Sequence, residues 1–100
     1  MNRYQALKAE RARERATRAI AAWERLSAFC AARGAQARIF GSIAEDRGNE
    51  HSDLDVMVFG DLPSDMMHAI EREARAVSRE TQVPIDLLFE RDFPDLAKAI

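Results

Sequence analysis

Asp53 and Asp55 stand two apart at the head of the apolar run "DLDVMVFG", and Asp86 interrupts a second one, "PIDLLF". On a strand side chains alternate, so Leu54, Val56 and Val58 take one face and Asp53, Asp55, Met57 and Phe59 the other. Two like charges this close repel unless a cation lies between them. Hard Mg²⁺ prefers carboxylate and water oxygens and fits that need. Asp86 likewise lies opposite Ile85, Leu87 and Phe89. An ionised carboxylate amid such a run is costly unless it is paired or bound to metal. If the two strands are neighbours, Asp53, Asp55 and Asp86 converge. Three carboxylates can hold two metals about 4 Å apart, the arrangement for in-line phosphoryl or nucleotidyl displacement.

Gly41-Ser42 supplies a complementary half. Glycine lets a phosphate approach the backbone closely. "SIAE" (residues 42–45) has the capping-box form, which predicts a short helix starting at Ser42. A helix N-terminus offers unpaired N–H groups and the positive end of a dipole. The Ser42 hydroxyl adds a further donor for a terminal phosphate.

The elements that must position these residues follow from periodicity. Residues 6–33, rich in Ala, Arg, Glu and Leu and free of Gly and Pro, predict a long helix. Ala16, Ala19, Ile20, Trp23, Leu26, Phe29 and Cys30 recur at helical spacing, so the second half is expected on the core. The charged first half is expected to project. Arg33-Gly34 is the stop. "ARIF" and "DLDVMVFG" predict two strands, and "VPIDLLFE" a third. Between the last two, residues 65–81 predict a helix capped by Ser64, with Met67, Ile70, Ala74 and Val77 buried. "FPDLAKAI" begins a last helix that the chain end leaves unfinished. The expectation is an α+β fold: a small sheet of three or so strands with helices packed on it. One domain spans residues 1–100, with the N-terminal helix over 1–33 and the catalytic core over 34–100.

Composition is that of a soluble globular chain, 47% hydrophobic and 32% charged, with net charge −2. No signal-peptide pattern opens it and no apolar run nears the ~20 residues of a membrane helix, so a cytoplasmic address is expected. The single cysteine, Cys30, excludes an internal disulfide and reads as a small buried hydrophobe. Charge is divided along the chain. Residues 1–40 carry nine Lys/Arg against three Glu, or +6, and the remainder six against fourteen, or −8. The basic helix face reads as solvated or as a dock for an acidic partner. Direct nucleic-acid binding is not expected at a pI near 5.7.

Gly41-Ser42, ten residues, Asp53-x-Asp55 and then Asp86 on a later strand resemble the minimal nucleotidyltransferase family, a small branch of the polymerase-beta-type nucleotidyltransferase fold. The likeness covers about residues 20–98. It implies Mg²⁺ as cofactor and ATP as substrate. By position, Asp53 and Asp55 would bind both metals, and Asp86 would complete the catalytic one and help take the acceptor's proton. Gly41 and Ser42 would seat the phosphates. Many relatives carry Ala-Arg-Gly just after the serine. Here Ala44 is followed by Glu45 and Asp46, and Arg47-Gly48 come two residues later, which makes Arg47 the candidate phosphate ligand.

So small a domain leaves little room for an acceptor pocket. The resemblance implies a separate HEPN-type helical toxin as partner, with this chain the antitoxin that transfers AMP from ATP to a tyrosine hydroxyl of that toxin. Two other readings compete. One is a non-catalytic antitoxin that neutralises its partner by binding. The other is a nucleotidyltransferase for a small hydroxylated substrate such as an aminoglycoside.

Overall fold

The computed structural model describes residues 2–41 and 54–100. Its elements are α1 (Arg3–Ala32), β1 (Gln36–Phe40), β2 (Leu54–Phe59), α2 (Ser64–Thr81), β3 (Ile85–Phe89) and α3 (Pro94–Ala99). The sheet order is β1-β2-β3. β1 and β2 are antiparallel, with Phe40 opposite Asp55. β2 and β3 are parallel, with Asp55 opposite Asp86. Parallel neighbours need a crossover, and α2 provides it. The expected α+β fold with a long N-terminal helix is therefore observed. The short helix expected from Ser42 lies outside the described residues.

Both long helices pack on one face of the sheet. Their seam joins Ala22, Leu26 and Cys30 of α1 to Ile70, Ala74 and Val77 of α2, over Leu54, Val56, Val58 and Phe89. Leu26, Val56, Val58, Ile70 and Val77 are inaccessible to solvent. Each buried aliphatic side chain of this size contributes about 1.5–3 kcal/mol. Arg25 adds an outer clasp from α1 to α2, with Nη1 2.5 Å from a Glu80 oxygen and Nη2 3.7 Å from one of Glu73. Half-exposed pairs of this kind contribute under about 1 kcal/mol, so the apolar seam decides the packing. Burial pushes the Cys30 thiol up and keeps it neutral in the seam.

Helix ends are set locally. Asn2 and Gln5 exchange side-chain and backbone bonds at the start of α1, at 2.7 and 3.1 Å. At the other end Gly34 takes φ +75, and the amides of Ala35 and Gly34 donate to Cys30 and Ala31. This is the Schellman closure that the Arg33-Gly34 stop predicts.

Two expectations fail for geometric reasons. Ile20 does not join the core: it is two residues, or about 200°, around the helix from buried Ala22, and is 58% exposed. Ala16 is exposed as well. Nor is Ser64 the cap of α2. Pro63, with φ −60 and ψ 151, holds the extended cap position, and no side chain bonds the first turn. Ser64 is already helical.

The first half of α1 projects, as its charge predicts. Residues 2–8 are all exposed, and burial begins in earnest at Ala22. No helix among the described residues is long and apolar enough to cross a membrane.

Gln82 closes α2 in the left-handed region at φ 58, where a Cβ is strained. Gln82→Gly should therefore stabilise the fold by about 0.5–1 kcal/mol, read as a higher urea midpoint with an unchanged slope. A lower midpoint would show that the glutamine side chain holds the turn by contacts.

Candidate active site

Strand alternation divides the sheet's chemistry from its core. The helix-covered face takes Leu54, Val56 and Val58 of β2, with Ala37 and Ile39 of β1 and Ile85 and Leu87 of β3 packed nearby. The opposite face takes Phe40, Arg38, Asp55, Met57, Phe59, Asp86 and Leu88, which the strand registers place together. Met57 is fully buried although it faces away from the helices. The chain end folds to that side: Arg38, the β1 partner of Met57, donates from Nη1 to the Ile100 carbonyl at 3.1 Å.

Asp55 and Asp86 are cross-strand partners in a parallel pair. Adjacent strands lie about 4.8 Å apart, and partners in register project to the same face. The parallel arrangement thus forces two carboxylates side by side at one end of the sheet. Asp55 is half-buried and Asp86 exposed. The donor set is all hard oxygen. It fits Mg²⁺, which takes one or two carboxylates and fills its remaining positions with water and substrate phosphate oxygens.

Gly41 belongs to the same corner. It follows β1 directly and has φ +77. A Cβ built there would collide with the Asp55 carboxylate, and would stand 3.3 Å from its Cγ. The backbone leaving β1 therefore lies against the carboxylate at van der Waals distance. Only a residue with no side chain permits that approach together with that φ. The two halves expected from the sequence, a glycine for phosphate and carboxylates for cation, meet at this contact.

Gly41, Asp55 and Asp86 are thus brought together. Ser42, Arg47 and Asp53 lie outside the described residues. The described residues alone hold no cluster of three or more metal-capable side chains. Sequence reasoning counted Arg38 only as one charge among nine. Alternation from Phe40 is the signal that puts it on the carboxylate face, where its guanidinium also lies 5.6 Å from the centre of the Phe59 ring.

A family model for the nucleotidyltransferase domain matches residues 21–100. The match begins where α1 starts to pack on the core, next to Ala22. No curated protein and no solved structure matches the chain at a significant level.

Gly34 and Gly41 make a matched pair for testing the close approach. Both have positive φ, but nothing lies within 4 Å of a Cβ on Gly34. Gly34→Ala should cost about 1–2 kcal/mol from backbone strain alone. Gly41→Ala should cost at least about 1 kcal/mol more, because the methyl must displace the Asp55 carboxylate. Equal losses in urea unfolding would contradict the contact.

Proposed function

The chain belongs to the nucleotidyltransferase domain family, and from that premise we propose that it moves AMP from ATP, with Mg²⁺, onto a tyrosine hydroxyl of a helical HEPN-type partner. On this reading it is the antitoxin of a two-protein pair. The observation that carries the chemistry is the in-register pair Asp55 and Asp86 with Gly41 against it. The family supports nucleotidyl transfer in general; the acceptor and the partner are the proposal.

Access favours a large acceptor. Asp86 is exposed at the end of the sheet, so a hydroxyl carried on another protein can reach it. A small hydroxylated compound would need walls to orient it, since positioning supplies much of the rate in such transfers.

Each residue has a definite task. Gly41 lets the triphosphate approach the backbone, and Ser42 and Arg47 donate to its oxygens. Asp53, Asp55 and Asp86 would hold Mg²⁺, which supplies charge neutralisation at the phosphates. The tyrosine oxygen forms a bond to the α-phosphorus as the bond from that phosphorus to the bridging oxygen breaks. Pyrophosphate leaves with the electron pair. The phenolic proton passes to the Asp86 carboxylate, which stands beside the acceptor as a general base.

The test is transfer of label from [α-³²P]ATP to a co-expressed HEPN-type partner. Wild type should label the partner, and label in the γ position should not transfer. Asp53→Ala and Asp55→Ala should each lower labelling about 100-fold or more while leaving the circular dichroism unchanged. A complex that forms without labelling in the wild type would favour neutralisation by binding. Label on an aminoglycoside instead of protein would identify a small acceptor. Full labelling by the Asp55 variant would remove the site.

A further inference from the structure

β3 is an edge strand, and its helix-side residues are incompletely covered. Ile85 and Leu87 are only half-buried. Between them and α2 lies a groove of about 420 Å³, floored by Ala74, Ile85 and Leu87 and bordered by Glu71, Arg75 and Arg79. Those three charges follow at four-residue intervals. They therefore form one row about 12 Å long, in the order minus, plus, plus.

The end of the chain carries the complementary pattern. Phe93 is 45% and Leu96 36% exposed, large apolar side chains facing water. Asp92, Asp95 and Lys98 interleave with them at three-residue spacing, in the order minus, minus, plus. Run in opposite directions, the two rows match: Lys98 against Glu71, Asp95 against Arg75, Asp92 against Arg79. Phe93 and Leu96 then meet the apolar floor. Arg25 takes Glu73 and Glu80 of α2, and none of these six charges pairs with another described residue. Nor can the segment reach the groove of its own chain. Arg38 holds Ile100 on the carboxylate face, across the sheet from α2.

We propose that the groove between α2 and β3 takes segment 92–98 of a second copy of this chain. Both features flank the same edge strand. In a closed isologous pair each copy would give its segment and take its neighbour's. The Asp86 carboxylate projects to the other face, so docking leaves the candidate active site uncovered.

Sedimentation velocity of the full chain over about 5–500 µM tests this. Self-association is expected, and it should weaken at least about tenfold between 0.05 and 0.5 M salt, as exposed ion pairs are screened. Arg75→Asp with Arg79→Asp should weaken it at least about tenfold, and so should Asp92→Arg with Asp95→Arg. An equimolar mixture of the two double variants should associate again, because each then meets opposite charge at both contacts. So should the chain that combines all four substitutions. The proposal is overturned by a wild type that stays monomeric, by association that neither double variant weakens, or by a mixture that does not recover.

Discussion

Two like charges held side by side on neighbouring parallel strands set the terms for everything else in this molecule. Asp55 and Asp86 are in register, so backbone hydrogen bonding fixes their separation and their common face. Two carboxylates so placed are a hard-oxygen donor set of the kind that a divalent cation takes.

The remaining elements serve that placement. α2 is the crossover that makes β2 and β3 parallel, and its apolar seam with α1 covers the opposite face of the sheet. Core and chemistry are thereby separated by the thickness of one strand. β1 delivers Gly41 to the same corner, and a left-handed φ with no Cβ lets its backbone touch the Asp55 carboxylate. Behind the corner, Met57 is buried on the carboxylate face, so that face is open at Asp86 and packed further along.

Much of this was legible in the sequence, because period-two and period-3.6 patterns report faces directly. The division of Leu54, Val56 and Val58 from Asp55, Met57 and Phe59 followed from alternation alone. So did the stop at Gly34. Strand order was not legible: that Asp55 and Asp86 are neighbours depends on which strands pair, a long-range fact that no local pattern carries. Ile20 departs from its hydrophobicity because the buried stripe of α1 centres on Ala22, which hydrophobicity alone does not locate. Ser64 is not needed as a cap because the preceding proline already supplies the extended cap geometry. Of the six site residues expected, the described structure speaks to Gly41, Asp55 and Asp86. The charge row on α2 and its counterpart around Phe93 were invisible in sequence, since their meaning comes from exposure.

The central claim is that Asp55 and Asp86 form a cation site, and it is tested most directly by unfolding free energy with and without Mg²⁺. Asp86→Asn should be at least as stable as wild type in the absence of divalent cation, since it removes the repulsion and Asp86 lies exposed at the edge. At Mg²⁺ about tenfold above its dissociation constant, wild type should gain about 1.4 kcal/mol and the variant far less. A wild type indifferent to Mg²⁺, with an Asp86→Asn variant less stable than it, would contradict the account.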